Sequence, residues 1–258
     1  MKVDTTNFFK EIGEHPEQFY IIHYSSQSLF DEGTEGLSPR ITSIVVMHFA
    51  TRQIVSFSVH TSAELLGIPK DEVEGRYDEI EKEMLARFFD FVRDKLDRYW
   101  IHWNMRNITF GFEHLEHRSR RLGNGMPPIL PMEHRLNLND MLKAKYGSDY
   151  APDPKMKNLI LLNGALPPTF LDGAQESAAF KAKDFIRMHA STISKVEFFR
   201  HAIILAEKGK LHTASKGWGV RVDRLLESRG AKIAALVAAI VGVCVGLYQG
   251  FLWLKGVG

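Results

Sequence analysis

Residues 41–60 read ITSIVVMHFATRQIVSFSVH. Two runs rich in β-branched and aromatic residues, 41–49 and 53–60, are separated by Ala-Thr-Arg, a link that suits neighbouring antiparallel strands. Upstream, residues 19–24 (FYIIHY) form a third run of the same type, joined to the pair through a polar, Gly-containing loop at 31–38. Three such runs in succession predict an antiparallel meander. The period then changes: Ile80, Met84, Leu85, Phe88, Phe91, Val92 and Leu96 share one face of a helix predicted over 77–96. Residues 100–103 (WIHW) return to strand and 110–122 to helix, and the stretches 138–146, 156–162, 174–189 and 194–208 are mostly helical in pattern. The expected fold is α/β, a mixed sheet flanked by helices on both faces.

A chain of 258 residues with 45% hydrophobic side chains can bury a substantial core, which excludes disorder and collagen-like repeats. Lys and Arg number 33 against 31 Asp and Glu, so any polyanion site is a local patch and not a global field. The single cysteine, Cys244, excludes a disulfide framework and a Cys-based zinc site, and a reducing compartment follows as the expectation.

From 233 to 254 the sequence IAALVAAIVGVCVGLYQGFLWL carries no charge. At about 1.5 Å per residue those positions extend roughly 33 Å as a helix, enough to span a bilayer. Residues 1–18 hold no apolar stretch of signal-peptide length, so the expectation is one C-terminal transmembrane helix. Lys216, Arg221, Arg224, Arg229 and Lys232 precede it and only Lys255 follows, which places the large domain on the cytoplasmic side of the inner membrane. Ala234, Ala238, Gly242, Gly246 and Gly250 recur every four residues, a small-residue stripe through which such helices associate or line a pore. The expected organisation is a domain over 1–210, an amphipathic linker over 211–232 and the membrane helix over 233–254; Val220, Val222, Leu225 and Leu226 supply the linker's apolar face.

The β-β-β-α-β-α order of residues 19–122 is that of an RNase H-like sheet, and over 19–210 the chain resembles the DEDD-type 3′–5′ exonucleases, most of all their DEDDh branch. That family implies carboxylates holding two metal ions about 3.5–4 Å apart. Here the place of the first-strand Asp-x-Glu reads His23-Tyr24-Ser25, and the second motif reads His102-Trp103-Asn104-Met105-Arg106-Asn107, with neutral Asn107 in the Asp position. The third motif falls near 171–177, where Glu176 is the carboxylate available. Magnesium is held by hard, negatively charged oxygen donors. The expectation is therefore a fold kept without hydrolytic chemistry, with no catalytic residues, metal or cofactor; Asp31, Glu32, Glu113 and Glu116 are the carboxylates from which a rebuilt metal site, and an active membrane-anchored exonuclease, would have to come.

A non-cutting groove needs donors and stacking faces. His23, Tyr24, Ser25 and Ser26 on the first strand, with Trp103, Asn104, Arg106 and Asn107 after the fourth, are the expected contacts to single-stranded DNA. Arg118, Arg120 and Arg121 on the next helix, and Lys181, Lys183, Arg187 and Lys195 later, add basic charge. A degenerate exonuclease-like domain followed by one membrane helix is similar to the membrane effectors of the Hailong anti-phage systems. The resemblance implies a homotetrameric ion channel held shut by single-stranded DNA oligomers, which a nearby-encoded nucleotidyltransferase makes. A scaffold that merely localises a protein-binding domain to lipid is the other class these features admit.

Overall fold

The computed structural model describes residues 2–28, 38–106 and 109–215. Asn107, Asp31, Glu32, the amphipathic linker from Lys216 onward and the 233–254 segment with its Ala234, Ala238, Gly242, Gly246 and Gly250 stripe lie outside them. Among the described residues, no helix is long and apolar enough to cross a membrane.

Five strands, β1 (Phe19–Ser26), β2 (Ile41–His48), β3 (Ile54–Ser58), β4 (Tyr99–His102) and β5 (Arg135–Asn137), form one sheet in the order β3-β2-β1-β4-β5. β2 runs antiparallel to both β1 and β3, whereas β4 is parallel to β1 and β5 parallel to β4. This is a mixed sheet flanked by helices, consistent with an RNase H-like fold. β1 sits at its centre and is almost continuously buried, as expected of a strand covered on both faces.

The pleat divides the apolar residues of β1 and β2 between two cores. Phe19, Ile21, Val45 and Met47 pack with Phe8 and Ile12 of α1 (Phe8–Glu14), Leu142 of α5 (Leu138–Tyr146), Leu159 of α6 (Lys155–Leu162) and Phe199 and Ile203 of α8 (Phe185–Glu207). Ile22, Tyr24, Ile44 and Val46 pack with Ala63 of α2 (Val59–Leu65), Met84, Leu85 and Phe88 of α3 (Tyr77–Arg93) and Leu115 of α4 (Phe112–Arg121). Leu211 is fully buried and Ala214 N–H donates to the Tyr150 carbonyl at 2.8 Å, so packing continues through residue 214.

Several elements depart from the sequence expectation for local reasons. Chain expected as strand through 60 turns into α2 after Ser58. The two late helices expected at 174–189 and 194–208 are instead α7 (Gly173–Lys181), a break, and one unbroken α8. Lys183 takes a left-handed φ of 57° in that break, and the Asp184 side chain accepts from Arg187 N–H to start α8. Ser191, Thr192 and Ser194 do not interrupt it, because their hydroxyls are engaged: Thr192 and Ser194 bond carbonyls of their own helix, and Ser191 receives the Leu171 N–H.

Candidate functional site

In open sheets with helices on both faces, ligands bind beyond the carboxyl ends of the strands. At that end of β1 lies a cleft of about 230 Å³, walled by His23, Tyr24, Ser25, Ser26, Gln27 and Ser28 on one side, Thr109 and Phe110 on another, and Gly173, Glu176 and Ser177 of α7 on the third. A β-bulge helps to shape it: Ser25 pairs with Ser43 but Ser26 with Ile41, which leaves Thr42 as the extra residue. Ser25 and Thr42 hydroxyls lie 2.8 Å apart, and Thr192 Oγ1 of α8 lies 3.1 Å from Ser25 Oγ, so the three hydroxyls form one buried cluster.

His23 is 5% exposed and stands edge-on to Phe110 and Phe199, with centroids 5.9 and 5.5 Å away. Burial above all, then the nearby positive charge of Lys195 and the His102 ring, holds it well below the usual histidine range, so it is neutral at physiological pH. Its Nδ1 is buried without a hydrogen-bond partner. Beside it, Lys195 is 5% exposed and its Nζ meets Glu176 Oε1 at 2.6 Å. Lys195 and Thr192 are one turn apart on α8, so the same face that touches Ser25 carries an ammonium group to the side of His23.

These donors do not fit a two-metal centre. Glu176 is the only carboxylate lining the cleft among the described residues, and its charge is already balanced by Lys195. Glu113 and Glu116, the other expected carboxylates, pair with Arg135, which also lies over the Phe112 ring. The one group of three His, Asp or Glu ligand atoms brought close together among the described residues is Glu11, Glu14 and His15, which precede β1 at its opposite end.

The residues after β4 are gathered into a second cluster. Asn104, with a left-handed φ of 54°, receives side-chain N–H groups of Arg106, Asn137 and Asn139 on its Oδ1, and its own N–H donates to Asn137 Oδ1 at 3.1 Å. Arg106 is half-exposed and pairs with Asp140 at 2.6 Å. This arrangement pins the β4 exit to the start of α5, and Arg106 is not an uncommitted guanidinium. His102 accepts from Met105 N–H and is pushed down to about 3 by burial, then by Arg106 and Arg135.

Three expected contacts are corrected by burial. Trp103 is 5% exposed and stacks on Phe199 at 5.5 Å, so it is core and offers no face to a base. Tyr24 is 1% exposed; its hydroxyl accepts from Gly111 N–H at 2.8 Å and reaches His114 Nδ1 at 3.0 Å. Arg118 is buried against Glu81 and does not belong to a groove. Lys195 also sits inside its ion pair instead of on a basic surface. All four of the first-strand set, His23, Tyr24, Ser25 and Ser26, line the cleft, Tyr24 with its ring turned into the core behind it; Phe110, Gln27 and Ser177 join them with no motif to mark them in the sequence.

A larger hollow of about 620 Å³ lies between α2 and the start of α8, lined by His60, Ala63, Ile68, Val73, Phe185 and Ile186 among others; of the residues expected at the groove it holds Lys183, which therefore lies apart from the β1 cleft. Compared with known proteins, the chain matches no protein-family model and no curated protein.

Proposed function

We propose that this chain is a membrane effector of the Hailong anti-phage type: a homotetrameric, single-pass ion channel of the inner membrane whose cytoplasmic domain is an inactivated DEDDh exonuclease fold. In this reading single-stranded DNA, supplied by a nucleotidyltransferase encoded nearby, occupies the β1 cleft and favours the closed channel. The observation that carries it is the Lys195–Glu176 pair, its ammonium buried and its carboxylate partly so, beside His23 and Ser25 at the strand end, where two-metal hydrolysis would need several uncompensated carboxylates. The charge-free 233–254 segment supports the membrane part.

The test uses the full chain in detergent and in vesicles. It is expected to bind labelled single-stranded DNA without trimming it in magnesium or manganese, and to pass ions across vesicles in a way that DNA suppresses. Trimming that chelator stops and Glu176→Gln abolishes would establish the active membrane-anchored exonuclease in its place. DNA binding without ion flux would leave a scaffold. Within the membrane segment, Gly246→Leu puts bulk where helix backbones meet and is expected to abolish conduction while leaving DNA binding unchanged; parental conductance would remove the stripe from the pore.

The ion pair makes a second, two-sided prediction. Glu176→Gln leaves the Lys195 ammonium uncompensated under the cleft, so DNA affinity rises by about tenfold, the scale of one charge-assisted hydrogen bond. The log-log salt slope also steepens by about 0.7, as for one more neutralised phosphate. Lys195→Met leaves the Glu176 carboxylate alone and weakens binding by a similar factor. Titration of both variants across ionic strength checks this; shifts of the same sign would place the DNA elsewhere.

A further inference from the structure

Between α4 and β5 the chain reads LGNGMPPILPM over residues 122–132. Of eight large hydrophobic side chains exposed among the described residues, three stand in this loop: Met126 at 75%, Ile129 at 57% and Met132 at 77%. They recur every third residue, while Pro127 and Leu130, one position on from Met126 and Ile129, are buried. A period of three suits an extended, polyproline-like run, and Pro131, with φ −56° and ψ 139°, has that backbone; Met132 opens the short 3-10 turn Met132–His134 that follows. The outward ridge is held in place: Leu130 is 2% exposed, and its carbonyl accepts from Arg135 Nε at 3.0 Å and Nη2 at 2.7 Å. The loop is therefore built to present Met126, Ile129 and Met132, where an unconstrained chain would fold them inward.

Cations gather at the start of this ridge, and the half-exposed Glu113, paired with the Arg135 that braces Leu130, belongs to its far end. Arg120 and Arg121 end α4 just before it, and Lys82 of α3 lies beside its start, where Asn124 Nδ2 donates to the Lys82 carbonyl at 2.8 Å. Glu133 is the acidic residue of the loop's far end. Flexible apolar side chains projecting between cations match the boundary of an anionic lipid leaflet, where the apolar tips enter the acyl region and the cations meet headgroup phosphates. A Pro-x-x-P ligand for a protein groove would present its prolines, whereas here Pro127 is buried and Met and Ile project. The loop feeds β5 at its amino end, opposite the carboxyl ends of β1 and β4 that form the cleft.

We propose that the 126–132 ridge is a lipid-contact element that seats the domain on an anionic membrane surface through Met126, Ile129 and Met132, with Lys82, Arg120 and Arg121 around it. This goes beyond the assignment of the cleft and holds whether or not residues 233–254 span the bilayer. The test places a polarity-sensitive dye at Met126→Cys, Ile129→Cys, Met132→Cys or, as a control, Leu65→Cys, each in the full chain carrying Cys244→Ala. The chain is then mixed or reconstituted with phosphatidylcholine vesicles, with and without phosphatidylglycerol, containing a lipid-borne quencher. Blue-shifted, lipid-quenched emission at the three loop positions and not at Leu65, stronger with phosphatidylglycerol, is the expected result. Water-like emission at the loop overturns the proposal, and so does a blue shift without lipid quenching, which would report a protein partner. If alkaline extraction releases the chain, the membrane-span reading fails, and flotation with anionic vesicles decides the loop alone: the triple Ser variant should float about tenfold less or worse, and equal flotation overturns it.

Discussion

Acidification from pH 7 to pH 5 is expected to strip the folded domain of a large part of its stability. His102 and His114 are 4% and 0% exposed, and burial lowers them to about 3 and about 4, against 6.5 in the unfolded chain. His23 is shifted in the same direction. A group whose folded form refuses a proton that the unfolded form accepts adds no penalty above pH 6.5. Below it, each costs about 1.4 kcal/mol per pH unit until its folded value is reached. At pH 5, His102 and His114 together therefore cost about 4 kcal/mol, and His23 adds to this, out of a typical total of about 5–15 kcal/mol. The carboxyls of Glu81 and Glu116 are raised by burial, a shift of the opposite sign in its effect on stability. Urea midpoints measured across this range should fall steeply, and His102→Gln should flatten the profile by one group's share. A flat profile between pH 7 and 5 would show that these rings take up protons in place.

How much of this was legible in the sequence varies with the kind of signal. The meander and the 77–96 helix were read nearly at their bounds, because strand runs and a seven-residue apolar face are strong periodic signals. β5, three residues long, has no period to read, and α1 is a seven-residue turn whose burial comes from α8 and not from its own pattern. At the site, the neutral side chains His23 and Ser25, where the resemblance to the exonucleases implies carboxylates, are legible in the sequence, but the burial that turns the Trp103 and Tyr24 rings into the core is not. Tyr24 lies on β1 and Trp103 just past the end of β4, and at both places only the packing of helices decides whether a ring faces solvent. Lys195 and Glu176 stand nineteen residues apart in the sequence with nothing to link them; that they neutralise one another is a tertiary fact, set by the packing of α7 against α8.

Arg118→Met is expected to destabilise the domain by about 3–5 kcal/mol, the usual cost of leaving one member of a buried ion pair alone. Glu81 is fully buried on α3, and Arg118 of α4 reaches it with Nε at 2.9 Å and with Nη2. Glu81 Oε1 also receives the Ile41 N–H at 3.0 Å, Tyr77 donates to the Ile41 carbonyl at 3.0 Å, and Arg118 Nη1 lies 3.5 Å from the Ser38 carbonyl. Without the guanidinium, the carboxylate either stays charged and unpaired or takes a proton, and either way loses part of its hold on the chain entering β2. Removing both charges together, Glu81→Leu with Arg118→Met, should recover much of the loss, because no uncompensated ion is then buried. The recovery should not extend to the cleft. Ile41 is the partner of Ser26 across the bulge, so the double variant, stable or not, keeps neither the acceptor for Ile41 N–H nor the brace at Ser38. Single-stranded DNA binding is therefore expected to remain weakened in the double variant after its urea midpoint has risen. If stability and binding recover in parallel, the Glu81–Arg118 pair serves the core alone and the shape of the cleft is set elsewhere.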